Sequence, residues 1–188
     1  MRLGPVIDRW VDPVAHPARN LTLSGPQGRV KIAVRATPLS SCPPDSALSP
    51  PCWRFDYALL NADFAAVETS GSPPNLRVVA HRGLGELLLG FDPALPLHVP
   101  ADAFSDLDQD PGNDWSATRD AAGLRFRAPP GQGLRWGTLY RFSVIADRPL
   151  DDDSRHPVAL RDELDAPVLA GLLAGPREPS LLFRDGFE

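Results

Sequence analysis

The sequence predicts an all-β protein, an antiparallel β-sandwich of immunoglobulin or jelly-roll-like kind, with a short, partly helical or irregular C-terminal extension. Three observations predict it. Apolar and polar residues alternate through WRFDYALLN (53–61) and TLYRFSVIAD (138–147), the period-two pattern of strands with one buried face. Comparable runs recur at intervals of about eight to fifteen residues, separated by turn residues. Finally, 22 prolines and 15 glycines among 188 residues oppose long helices and favour loops and strand edges, yet stay below the share that marks disorder. The strand–helix alternation of a parallel α/β sheet is missing.

Taken in order, LTLSGPQGRVKIAVRATP (21–38) reads as a hairpin. Leu21 and Leu23 face Val30, Ile32 and Val34 across a Gly25-Pro26-Gln27-Gly28 turn. In WRFDYALLN, Trp53, Phe55, Tyr57 and Leu59 share one face, and Arg54 and Asp56 the other. Short apolar runs follow at 75–80, 85–91 and 95–100, then WSATRD (115–120) and LRFRAPP (124–130), with Leu124 and Phe126 inward and Arg125 and Arg127 outward. TLYRFSVIAD places Tyr140, Phe142, Val144 and Ala146 on one face. VALRDELDAPVLAGLLAG (158–175) is the helix-friendly stretch, cut by Pro167. The expected organisation is an N-terminal extension (1–18), a sandwich (19–150), a C-terminal extension (151–175) and a tail (176–188).

Composition narrows the function. The formal charge is −5, and only one lysine accompanies 18 arginines. The excess acidity lies in the second half, without a basic stripe interleaved with aromatics, so nucleic acid is not an expected partner. No apolar run is long enough for a membrane span. The start, MRLGPVIDRWVDP, carries no apolar h-region or small-residue cleavage site. The chain is therefore expected either in the cytoplasm or as part of a longer exported precursor.

Cys42 and Cys52 bracket a proline-rich loop, SCPPDSALSPPC (41–52). Their spacing, with no histidine nearby, matches neither zinc pairs nor a thioredoxin-type motif. A disulfide and two unrelated buried thiols remain, and the short loop favours the disulfide, worth about 2.5–3 kcal/mol by loop closure.

SDLDQDPGNDW (105–115) packs five oxygen-bearing side chains, Asp106, Asp108, Asp110, Asn113 and Asp114, into nine residues, a density suited to calcium. It is no EF-hand, since the sixth loop position is Pro111 and the twelfth Ala117. Two readings stand: a loose calcium loop, and an exposed turn whose Asp and Asn side chains bond their own backbone. Calcium is the one cofactor under consideration. His16, His81, His98 and His156 are scattered, with no HExxH or GxSxG pattern, and GLGE (83–86) lacks the glycines and helix of a phosphate loop. No catalytic residue is assigned. Asn20-Leu21-Thr22 is a glycosylation acceptor only in a host that uses one. Trp53, Trp115 and Trp136 serve either as core or as a sugar-stacking surface.

The order WRFDYALLNADFA, PNLRVVAHRGLGEL, SDLDQDPGNDW, GLRWGTLYRFSVIADRPL resembles an uncharacterised class of exported bacterial β-sandwich proteins over roughly residues 20–150. The ending LLFRDGFE is similar to the F-x-D-G-F-E terminus of exported proteins in Xanthomonas- and Lysobacter-like bacteria, matched by Phe183, Asp185, Gly186, Phe187 and Glu188. There it looks like a surface or secretion tag. The resemblance implies an extracellular or cell-surface location and carries over no catalytic residue. The expectation is a non-enzymatic secreted or surface module with a structural, adhesive or ligand-binding role toward a surface partner or glycan. A calcium-dependent carbohydrate-binding or adhesion module is the alternative, and a hydrolase domain a further one.

Overall fold

The structure is a computed structural model and describes residues 5–178. In chain order these form α1 (Val6–Trp10), β1 (Asn20–Gly25), β2 (Gly28–Pro38), β3 (Trp53–Asn61), β4 (Ala66–Ser70), β5 (Arg77–Arg82), β6 (Leu84–Leu89), β7 (Leu97–His98), β8 (Phe104–Ser105), β9 (Ser116–Asp120), β10 (Gly123–Arg127), β11 (Leu139–Ala146), β12 (Leu150–Asp162) and β13 (Pro167–Pro176). The tail motif at Phe183, Asp185, Gly186, Phe187 and Glu188 lies outside the described residues.

Two antiparallel sheets carry the fold. The first runs β1-β2-β3-β11-β7, with β8 also paired to β11; the second runs β13-β12-β6-β10-β9; β4 and β5 make a separate hairpin. The expected first hairpin forms in the expected register, Leu21 opposite Ile32 and Leu23 opposite Val30. Its turn depends on Gly28, whose φ is +128° and where a Cβ would fall on the backbone of Asp63 and Phe64.

The facing sides of the sheets close over one core. Ile32, Val34, Phe55, Leu59 and Val144 from the first sheet meet Leu87, Leu89, Leu124, Val158 and Leu160 from the second. An aromatic group fills one region: Phe142 lies 4.9 Å from Phe126 and 5.3 Å from Trp115, centroid to centroid, and Phe104 stacks near Trp115 at 6.2 Å. Trp115 and the partly buried Trp53 thus take the core role. This all-β, sandwich-like packing matches the predicted class.

The expected helical or irregular extension at 151–175 is corrected. Those residues build β12 and β13, thirteen and ten residues long, and β12 sits inside the second sheet between β13 and β6. Leu169 and Leu173 are both buried, and a spacing of four fits one helical turn as well as two strand steps, so the apolar pattern alone was ambiguous. Pro167, read as a helix breaker, instead opens the edge strand β13, where proline's missing donor is tolerated. The sandwich therefore extends to Pro176 rather than ending at 150.

The N-terminal extension is also part of the body. Ile7 and Val11 pack with Ala33 and Ala58 on the outer side of the first sheet, and this small cluster is separate from the main core.

Candidate functional site

Cys42 and Cys52 form a disulfide, with an S–S distance of 1.97 Å and Cα atoms 5.3 Å apart. It closes the loop between β2 and β3, where Leu39 N donates to Cys52 O at 2.8 Å. The pair is a staple at the foot of a core strand.

Four of the five residues of the acidic loop, Asp106, Asp108, Asp110 and Asn113, fold onto one another. Backbone N–H groups of Asp108, Asp110 and Gly112 donate to the side chains of Asp106, Asp108 and Asp110 at 3.2, 2.7 and 2.9 Å, and Asn113 Nδ2 donates to Asp108 Oδ2 at 2.8 Å. These are consecutive side-chain turns. The bond from Asn113, with the backbone of Asp110 adding to it, holds Asp108 below the usual carboxylate range. Asp114 takes no part in these turns, and among the described residues no group of three or more His, Cys, Asp or Glu is arranged to hold a metal.

The histidines sit on different elements: His16 in the turn after α1, His81 on β5, His98 on β7 and His156 on β12. His156 is buried, its Nε2 3.0 Å from Pro176 O. The Asn20 amide is buried as well and donates to Asp8 Oδ1 and Val11 O at 3.0 and 2.6 Å, so the glycosylation triplet is turned inward. Trp136 differs from the core tryptophans: it is 72% exposed, with its indole N–H held by Ala62 O at 2.7 Å.

What strand alternation placed outward forms two contrasting surfaces. On the second sheet, Glu86 of β6 lies opposite Arg127 of β10 and Arg161 of β12. Glu86 is only 2% exposed. Arg127 Nη2 reaches its Oε2 at 2.7 Å, Arg161 Nε lies 3.5 Å from Oε1, and Arg125 also bonds Oε1. Asp120 and Asp165 pair the outer sides of Arg125 and Arg127 at 3.1 and 3.0 Å. Burial opposes the charge on Arg125, but its bonds to Asp120 and Glu86 outweigh that and raise its pKa.

On the first sheet, Asp56 of β3 accepts from Ser143 Oγ at 2.6 Å and Arg54 Nε at 3.2 Å, and Arg54 continues to Asp102 at 2.8 Å. Desolvation opposes the Arg54 charge and is again outweighed by these bonds. Ser143 is fully buried with its proton committed to Asp56, so this hydroxyl presents no nucleophile to solvent.

Beside this cluster α1 stops short of covering the sheet. An open cleft of about 590 Å³ results, lined by Val6, Ile7, Trp10, Ala58, Leu107 and Leu139, with Asp56, Ser105 and Arg141 on its polar side. Val6 is 63% and Leu107 92% exposed. Leu107 holds a φ of +76°, a backbone region uncommon for a residue with a side chain. The volume falls within the range of about 300–1,000 Å³ typical of small-ligand sites, as does the mostly apolar lining. The sequence does not announce this site, because residues 1–18 read as an extension and the 105–115 loop reads by its oxygen-bearing side chains; the apolar Val6, Ile7 and Trp10 near the start of the chain were the available signal.

No family model, curated protein or solved structure matches the chain.

Proposed function

We propose that the protein is a non-enzymatic, extracytoplasmic β-sandwich module of a bacterial secreted or surface protein, and that its role is ligand binding at the α1 cleft. The carrying observation is that cleft: a concave apolar surface with a small polar margin, built on the sheet, where Val6 and Leu107 remain open to solvent. The Cys42–Cys52 bond supports an oxidising location, as does the resemblance of LLFRDGFE to exported-protein endings. The occupant is a surface glycan or partner group, or a small apolar ligand, which the following experiment separates.

A calcium-dependent version needs Asp106, Asp108, Asp110, Asn113 and Asp114 to exchange their backbone turns for an ion. One set of thermal melts tests both versions. Candidate apolar ligands and glycans are added to the wild type and to Val6→Asp/Leu107→Asp, with calcium or with a chelator. Ligands are expected to raise the Tm of the wild type alone, in either medium. Equal stabilisation of both proteins would place binding elsewhere, and stabilisation seen only with calcium would favour the ion-dependent module.

A further inference from the structure

Trp136 is exposed and yet fixed. It is the second residue of the turn Arg135-Trp136-Gly137-Thr138, in which Thr138 N donates to Arg135 O at 3.2 Å. Gly137 has a φ of +75°, the placement a type II turn requires of glycine. The turn is tied twice to Asn61: Gly137 N donates to Asn61 O at 2.8 Å, and Asn61 N to Thr138 O at 3.0 Å. Asn61 is fully buried, and its amide joins the flanking loops, donating to Phe64 O and Leu134 O at 3.0 and 3.1 Å and accepting from Phe64 N at 2.8 Å. The one polar atom of the indole is committed to Ala62 O at 2.7 Å. What the ring has left to offer is its apolar face, held ready so that little ordering cost remains for a ligand.

A charge pair is anchored one residue away. Ala62 N and Asp63 N both donate to Arg29 O, at 3.1 and 3.2 Å, and the Asp63 carboxylate accepts from Arg29 Nε at 2.8 Å and from its Nη2. The dipeptide Ala62-Asp63 thus holds the ring by its first carbonyl and the ion pair by its second side chain. Both Arg29 and Asp63 are exposed. Their bonds use only some of the five donors of a guanidinium and the four acceptor sites of a carboxylate, so both can take further partners. The bond from Arg29 holds Asp63 below the ordinary carboxylate range, which keeps it an acceptor.

A fixed aromatic face beside exposed donors and acceptors of zero net charge suits a ring with an apolar C–H side and a hydroxylated edge. We infer that Trp136 is the stacking platform of a carbohydrate site that takes a neutral pyranose, with Arg29 and Asp63 bonding its hydroxyl groups. None of these three residues lines the α1 cleft, so the site stands apart from the ligand-binding reading above. A charged ligand is disfavoured, because one member of the pair would meet it with like charge. A protein partner fits less well: the residues next to the ring, Ala62, Asp63, Arg135, Gly137 and Thr138, are small or polar, whereas a protein anchor sits within an apolar patch. Arg135 is itself committed to Glu163 and to His81 O, at 3.0 and 2.7 Å.

The test titrates the full chain with cellohexaose, maltohexaose, xylohexaose and N-acetylchitohexaose, and with hexagalacturonate and hexaglucosamine as anionic and cationic counterparts, read by calorimetry and tryptophan fluorescence. At least one neutral oligomer is expected to bind more tightly than both charged ones. Trp136→Ala should weaken that binding about ten-fold, and Trp136→Phe, which keeps a ring, by less. Arg29→Gln/Asp63→Asn, checked for an unchanged melt, should weaken it too while the fluorescence response remains. Val6→Asp/Leu107→Asp should leave it unchanged. Retention on the insoluble polymer of the same sugar, lost in Trp136→Ala, would mark a glycan surface as the source, and binding of the free hexamer alone a soluble sugar. Failure of every neutral hexamer to bind, or equal binding by Trp136→Ala and the wild type, overturns the site. Binding lost in the cleft variant but kept in Trp136→Ala moves the sugar to the cleft and overturns it here. Self-association in sedimentation that Trp136→Ala abolishes, without sugar binding, would make the ring a protein contact instead.

Discussion

The outer surfaces of the two sheets use the same residue type to opposite ends. On the second sheet, Arg125, Arg127 and Arg161 converge on buried Glu86, and Asp120 and Asp165 take up their remaining charge. That surface is closed within the chain. On the first sheet the Asp56 cluster is likewise satisfied and Asp8 of α1 pairs Lys31 at 2.7 Å, but Arg35 lies over the Trp10 ring, 5.7 Å from its centroid, instead of in an ion pair among the described residues. The contrast shows that an arginine on a strand's solvent side carries no meaning until its counter-charge is located.

The largest expected effect falls on the closed surface. Glu86→Gln leaves three guanidinium groups around an uncharged amide, and breaking such a buried arrangement costs about 3 kcal/mol. The partial exposure of Arg127 and Arg161 keeps it from being larger. Urea denaturation should show the lower midpoint with an unchanged m-value; a loss below 1 kcal/mol, on the same order as an exposed pair, would mean that the two surfaces do not differ in the way described. On the first sheet, Asp56→Asn weakens the bonds from Ser143 and Arg54, for an expected loss of about 1–2 kcal/mol in the same assay, since Asp56 keeps some solvent contact. An Asp56 effect exceeding that of Glu86 would reverse the ranking.

Acid should act on both surfaces, and more gently. The hydrogen bond from Arg54 holds Asp102 below the ordinary value of 3.8, against desolvation, and the backbone N–H of Ala122, followed by Arg125, does the same for Asp120. A carboxylate whose folded pKa is depressed contributes its stabilisation above the unfolded value and loses it as pH falls through the folded one. Stability should therefore be flat down to about pH 5 and decline below about pH 4, measured as the urea midpoint. Asp102→Asn and Asp120→Asn should each make that decline shallower, and an unchanged slope in both would show that these pairs contribute nothing to folding.

Much of the sandwich was legible in local pattern. TLYRFSVIAD and WRFDYALLN alternate with period two because each strand has one wet side and one dry side, and the same rule correctly oriented Leu124 and Phe126. The GPQG turn announced its hairpin because glycine supplies a backbone conformation that few residues adopt. VALRDELDAPVLAGLLAG was misread for a reason of equal generality. Its leucines and alanines favour helix when isolated, and pairing with β6 overrides that weak preference.

The candidate site was nearly invisible in the chain. GLGE was set aside as a failed phosphate loop, while its glutamate anchors three arginines from strands about 40 and 75 residues away. MRLGPVIDRWVDP was read for targeting signals, and its Trp10 became the wall of a cleft. Alternation, turn residues and cysteine spacing act between near neighbours, so they can be read in one dimension. Which charge meets which, and which apolar side chain is left uncovered, depends on how distant strands and α1 come together, and that arises only when the two sheets close over their common core.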